Sequence, residues 1–210
     1  MKFILYLLFF IYLLIEFKNY IFRSLLYVLG FKIDLDSFKD LPSKLILIGN
    51  HTSIYDFFIS TAIYFSYFHQ DYTNYVLMKD SFEFYTSPLF HYIDKKLKII
   101  SVNKNKKGLT QQLVEELKFK DNYILFIAPE GTRKYTDSIK SGYWVLSKEL
   151  DIDIVFIGID FYKKTFELEK PRKASFLWEQ EKELFKKSAI KYQPLFPENC
   201  AYFTSAQLTK

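Results

Sequence analysis

Short apolar runs of strand length recur along this chain, separated by stretches of helical length, and this alternation limits its fold more than any other feature. Candidate strands are Lys44–Ile48, Tyr75–Met78, Leu97–Val102, Tyr123–Ile127 and Ile154–Ile159, with a further one around Ala174–Trp178. Candidate helices are Ile54–Phe68, Phe82–Ile93, Lys107–Lys118, Ile139–Leu150 and Glu179–Ala189. Elements that alternate in this way predict an α/β domain with a central, mostly parallel sheet flanked by helices. Sites in such folds gather at the C-terminal ends of strands. Two segments rich in reactive side chains fall there, Gly49–Asp56 and Pro129–Arg133.

No repeat, low-complexity tract or Gly/Ser linker divides the chain. Its 210 residues suit one domain with a sizeable core. The net charge of +5 reads first as a solvated, Lys-rich surface. It also suits anionic lipid headgroups. No Arg-rich stripe or nucleic-acid motif is present, so nucleic acid is not an expected partner. The single cysteine, Cys200, excludes an intramolecular disulfide. With no histidine near it in sequence, it reads as a buried, inert thiol.

The N-terminus is a separate problem. Phe3 to Ile15 is an unbroken apolar run of 13 residues. As a helix it rises roughly 20 Å, short of the ~30 Å hydrocarbon core of a bilayer. Glu16, Lys18 and Asn19 interrupt it, and a second apolar stretch, Ile21 to Leu29, carries Arg23 inside it. Gly30 reads as a helix stop. A signal peptide needs a small-residue cleavage site, and none is convincing. A tilted span requires the polar residues to snorkel. The preferred reading is a short helix or two-helix hairpin sunk into one leaflet. A buried core helix fits less well, because a run at the extreme terminus has little beneath it to pack on.

His51 and Asp56 stand five positions apart, directly after the run Leu45-Ile46-Leu47-Ile48. Imidazole suits proton abstraction near neutral pH. A carboxylate behind it fixes the tautomer and offsets the imidazolium charge. A rival reading needs no catalysis: Ser53 as N-cap with Asp56 at the third helical position is a capping box. That cap does not explain His51, nor does it exclude a second role for Asp56. After the buried run Tyr123–Ile127 and Ala128 comes Pro129-Glu130-Gly131-Thr132-Arg133. Gly131 permits a tight turn and close approach of a ligand. Arg133 offers a planar fork suited to phosphate, though a surface arginine in a loop is common.

His-x4-Asp followed at this distance by Pro-Glu-Gly-Thr-Arg resembles the glycerolipid acyltransferase family, the 1-acyl-glycerol-3-phosphate acyltransferases. The likeness runs from Asn50 to about Lys164 and includes Lys140-Ser141-Gly142 and Ile154–Ile159. It implies His51 and Asp56 as the catalytic pair. It also implies that Glu130, Gly131, Thr132 and Arg133 bind the acceptor phosphate. Glu130 would repel that phosphate, so it is expected to orient Arg133 or the loop. Lys79 matches a lysine that often follows the second strand of the family. Ser101-Val102-Asn103-Lys104 stands where Val-Asp-Arg is usual. Lys104 still offers a cation, without a bidentate fork, and this departure leaves the acceptor headgroup open. Lys104, Lys106 and Lys107 read equally well as a solvated cluster opening the next helix.

His69 and His91 have no metal-ligand spacing with His51, and no Gly-x-Ser-x-Gly elbow appears. Neither a metal nor another cofactor is expected. The aromatic stretches Phe57-Phe58, Tyr64–Phe68 and Phe82–Tyr85 read as core, with an acyl tunnel as the alternative. The C-terminal Glu179–Lys191 and its Pro-containing tail read as packing. The resemblance implies an N-terminal membrane segment over 1–30 and an acyltransferase domain over 31–210. It implies a membrane-associated enzyme whose site faces the cytosol. Such an enzyme moves an acyl group from acyl-CoA or acyl carrier protein to 1-acyl-glycerol 3-phosphate. The alternatives are another lysolipid or glycerol 3-phosphate as acceptor, or a non-catalytic lipid-binding protein.

Overall fold

The computed structural model describes residues 17–68, 72–79, 97–102 and 108–203. A seven-stranded sheet organises them. Its strands are β1 (Lys32–Ile33), β2 (Lys44–Gly49), β3 (Thr73–Lys79), β4 (Leu97–Val102), β5 (Tyr123–Ile127), β6 (Asp153–Asp160) and β7 (Thr165–Leu168). They lie in the order β1-β7-β6-β2-β5-β3-β4. Every pairing is parallel except that of β6 with β7. The helices among these residues are α1 (Lys18–Val28), α2 (Ile54–Ile63), α3 (Leu109–Leu117), α4 (Gly142–Leu150) and α5 (Trp178–Ala189). The expected mostly parallel α/β sheet is therefore present.

β2 occupies the middle because nothing in it tolerates water. Leu45, Ile46, Leu47 and Ile48 are each at most 1% exposed. A strand without polar alternation is the mark of an interior parallel strand. Leu45 and Leu47 pack with Leu26 of α1 and Ile59 and Ile63 of α2. Ile46 and Ile48 pack on the other face with Leu113, Tyr143, Leu146 and Phe185. The result is three layers, helix on sheet on helix. Ile48 pairs with Ile127 of β5 on one side and Phe156 of β6 on the other. The loops after β2 and β5 thus leave the sheet together.

α1 ends as its sequence suggests. Gly30 has φ +79°. Its N–H donates to Tyr27 O, and the Phe31 N–H donates to Leu26 O, both at 2.9 Å. That pair of bonds is a Schellman cap, which requires a left-handed residue. Arg23 does not point into an apolar medium. Its guanidinium donates twice to Ser66 O, at 3.3 and 2.9 Å, and lies 4.8 Å from the Tyr67 ring centre. The acceptor lies in a π-helical turn, Tyr64–Phe68, that continues α2. Such a turn disturbs the regular i−4 ladder, and Arg23 satisfies the Ser66 carbonyl. The outer side of α1 stays apolar and open, with Tyr27 83% and Val28 79% exposed.

Two expectations about elements change. No strand forms at Ala174–Trp178: Trp178 opens α5, while Phe176 and Leu177 are exposed. The last strand is instead β7, only four residues long, turning back from β6 over Lys164 at φ +52°. Its Phe166 and Leu168 point inward between charged or polar neighbours. α4 begins at Gly142, not at Ile139, which lies in the preceding loop with its side chain packed on the core. The expected helix Phe82–Ile93 and the apolar run Phe3–Ile15 lie outside the described residues. Among the described residues, no helix is long and apolar enough to cross a membrane.

Candidate active site

The site begins where β2 runs out of room. A Cβ on Gly49 would stand 3.2 Å from Ile157 O, so the strand closes on a residue without one. Asn50 then turns the chain, its side-chain amide donating to Ala189 O of α5 at 3.1 Å. Ser53 caps α2: its hydroxyl accepts from the Tyr55 and Asp56 N–H groups. Asp56 answers in the reciprocal direction of a capping box. Its Oδ2 accepts from the N–H of Thr52 at 2.7 Å and of Ser53 at 2.8 Å, and Oδ1 accepts from the Ser53 hydroxyl at 3.2 Å. The same Oδ2 stands 3.5 Å from His51 Nδ1. The capping and catalytic readings of Asp56 therefore do not compete, because one carboxylate satisfies both geometries. With Nδ1 turned to Asp56, the free Nε2 of a neutral imidazole is the acceptor nitrogen.

Glu130 meets this turn from the β5 side. Its Oε2 accepts from the His51 N–H at 3.0 Å. Of the two expected roles, orienting Arg133 or the loop, no ion pair with Arg133 among the described residues accompanies the first, and the bond observed ties the start of the loop to the His51 turn. Glu130 is 7% exposed. Burial pushes it up to about 8; the Asp56 charge adds to the rise, and the His51 N–H opposes it. At pH 7 the side chain is then largely neutral, which removes the repulsion a carboxylate would exert on phosphate.

That shift predicts a pH dependence. The unfolded carboxyl titrates near the ordinary 4.5, and burial pushes the folded one up to about 8. Between these values the folded chain keeps a proton that the unfolded chain has lost, so stability from this group falls as pH rises. The Glu130→Gln protein lacks the titration. The unfolding free energy of wild type, relative to this variant, is expected to fall by roughly 3–5 kcal/mol between about pH 4.5 and 8. Denaturant titrations across that range check it. A flat difference would mean that Glu130 is ionised in the fold.

The loop after Glu130 folds back on itself. The Lys140 N–H donates to Pro129 O at 2.9 Å, closing the segment at its base. Gly131 adopts φ +63°, and a Cβ there would come within 2.7 Å of Lys140 Nζ. The positive φ is what favours glycine here, since the flexible end of Lys140 could move aside. Thr132 turns the loop by accepting from the Lys134 N–H at 3.2 Å. His51, Asp56, Gly131, Thr132, Arg133, Lys134 and Lys140 line one cavity of about 1080 Å³. None of its three cations forms a salt bridge among the described residues. The same cavity is also lined by Phe57, Ser60 and Thr61 of α2 and by Val76 and Phe126 of the sheet. Polar, cationic and apolar surfaces thus meet around His51.

The structure brings together all but two of the sequence-derived site residues. Lys79 is the last residue of β3, and Lys104 lies outside the described residues. Lys134 and Lys140 were not singled out from sequence, although Lys140 stands in the Lys-Ser-Gly block. Cys200 is 4% exposed, and burial holds its thiol above the usual range. A thiol kept protonated is a poor nucleophile.

A family model described as Acyltransferase matches residues 33–173, more than half of the chain. No curated protein matches it.

Proposed function

We propose a reaction from one premise: the chain belongs to the acyltransferase family. The protein is an acyltransferase, and the finer assignment is our reading of its resemblance to the 1-acyl-glycerol-3-phosphate acyltransferases, supported by the site's own residues. In our reading the donor is a fatty acyl thioester of coenzyme A or acyl carrier protein. The acceptor is 1-acyl-glycerol 3-phosphate, and the product is phosphatidic acid. What most supports this reading is the contact of His51 Nδ1 with Asp56 Oδ2 beside a cavity that also holds Arg133.

The steps balance without a protein nucleophile. His51 Nε2 takes the proton of the acceptor hydroxyl as its oxygen attacks the thioester carbonyl carbon. Asp56 offsets the imidazolium charge. The tetrahedral intermediate collapses, the C–S bond breaks, and the thiolate recovers the proton from His51. Arg133, with Lys134 and Lys140, holds the acceptor phosphate, and a neutral Glu130 does not oppose it. An acyl chain lies against the apolar part of the cavity lining, Phe57, Val76 and Phe126. No metal or other cofactor enters these steps.

We further assign residues 1–30 to membrane association and 31–210 to the acyltransferase domain, with the site on the cytosolic side. The run Phe3–Ile15 and the open apolar side of α1 support the membrane association, and the cytosolic side rests on the resemblance and the donor it implies. An amphiphilic acceptor would then arrive from the bilayer, and the donor from water.

The experiment is transfer from a labelled oleoyl thioester, by purified protein in liposomes, to a panel of lysolipids and glycerol 3-phosphate. Phosphatidic acid from the lysophosphatidic acid arm is the expected product. Transfer only to another acceptor would replace the substrate and keep the mechanism. No transfer from either donor type by folded protein would favour a lipid-binding role. In the same assay Arg133→Ala is expected to raise the acceptor KM roughly 10- to 100-fold, the scale of one charge-assisted hydrogen bond. The donor KM should stay near wild type. An unchanged acceptor KM would remove Arg133 from the phosphate site.

A further inference from the structure

The peptide group joining Thr52 to Ser53 stands between two side chains far apart in sequence. Its N–H, from Ser53, donates to Asp56 Oδ2 at 2.8 Å. Its carbonyl, from Thr52, accepts from the Asn199 side-chain amide at 3.2 Å. A carbonyl only accepts, so the amide must present Nδ2 to it. That Asp56 oxygen is the one facing His51 Nδ1. A single file of polar groups therefore runs from Asn199 through this peptide and Asp56 to His51.

Asn199 is held for the purpose by its surroundings. It closes a short 3-10 turn, Pro197–Asn199, and the Cys200 N–H returns to Pro197 O at 3.0 Å. Beyond it, the Tyr202 ring packs edge-on against Phe185 of α5, and its hydroxyl donates to Asp137 O at 3.3 Å. Asp137 belongs to the loop that carries Arg133 and Lys140. Before it, Ala189 O receives the Asn50 amide. The segment from Ala189 to Tyr202 thus spans from the His51 turn to the cationic loop. It also lies outside the residues matched by the family model, 33–173.

We propose that Asn199 is a positioning residue for the His51–Asp56 pair. Donation to a carbonyl polarises the peptide and strengthens its N–H as a donor. Asn199 thereby tightens the Ser53 N–H bond to Asp56 Oδ2 and keeps that oxygen aligned on the imidazole. Nothing about substrate binding depends on it directly, so its loss falls on turnover. The proposal rests on the reading of His51 as the base.

The test uses the full chain in the acyl-transfer assay, with Asn199→Ala, Asn199→Asp and Asn199→Gln beside His51→Ala. Asn199→Asp keeps size and removes the donor. Asn199→Gln keeps the donor on a longer stem. The expected result is a kcat lowered about tenfold in the Ala and Asp proteins. Both KM values and the Tm should stay close to wild type, and the Gln protein should recover part of the rate. Wild-type kcat in the Ala and Asp proteins would overturn the proposal. So would a normal Asp protein beside a slow Ala protein, since size and not donation would then matter. A loss of kcat that tracks a fall in Tm and a rise in both KM values would also overturn it, as a purely structural role. Turnover by His51→Ala would remove the base itself. A dead His51→Ala with unchanged Asn199 variants would remove only this inference.

Discussion

His51→Ala is expected to lower kcat by about 10²- to 10⁴-fold, the usual worth of a positioned general base. The fold should survive the change, because the His51 backbone N–H, not its ring, bonds Glu130. Asp56→Asn should behave differently. Its carboxylate accepts two backbone N–H groups and a hydroxyl as well as facing the imidazole. An amide there leaves some of those donors poorly served, at about 0.5–2 kcal/mol for a lost cap. Rate and stability should therefore fall together at Asp56 and separate at His51. Steady-state kinetics with thermal melts on both variants decide it. Near-normal kcat in His51→Ala would leave the reaction without its base.

Arg172→Ala is expected to destabilise the protein by roughly 3–5 kcal/mol, because it strips the partner from a buried charge. Glu181 is fully buried on α5. Its two oxygens accept from Arg172 at 2.6 and 3.0 Å, and from the Ser175 N–H at 3.0 Å. Burial alone would raise this carboxyl, but the Arg172 and Ser175 bonds outweigh it and hold the group below the usual glutamate range. A lowered carboxyl contributes stability above its unfolded pKa and loses it as pH falls through the folded value. The deficit of Arg172→Ala should thus be largest near pH 7 and shrink as pH drops below about 4.5. Denaturant titrations at several pH values measure it. A deficit under about 1 kcal/mol, or one independent of pH, would mean that water already reaches Glu181. The effect should reach the site too, since α5 ends at the carbonyl that holds Asn50.

The parts of this molecule that were legible in the sequence are those with local causes. β2 and β5 show themselves as runs that are apolar on both faces, and the capping box of α2 is written within four residues. β7 escaped because a four-residue strand that alternates Phe166 and Leu168 with polar neighbours resembles a surface turn. Phe176-Leu177-Trp178 misled in the opposite direction: two of the three are exposed, and the third starts a helix. In the site, His51, Asp56 and Glu130 were visible as motif residues. The partner of Glu130 was not, because it is a backbone N–H 79 positions away. Lys140 reaches Gly131 only through the closure of its loop, and Asn199 reaches Thr52 across 147 positions. No local pattern carries such distances.

The pairing of β2 with β5 and β6 also sets a timetable for synthesis. Ile48 leaves the ribosome long before Ile127 and Phe156, the residues it pairs with. At a usual elongation rate of about 5–20 residues per second, that strand waits several seconds for its first neighbour. Parallel pairing over such separations is slow in any case, because a large loop must close before any contact forms. A bare strand of Leu45-Ile46-Leu47-Ile48 is meanwhile open to association with other nascent chains. The His51 turn waits longer still, since Asn199 emerges 147 residues after the Thr52 carbonyl it bonds. The last contact of that turn therefore forms only after every strand of the sheet has left the ribosome.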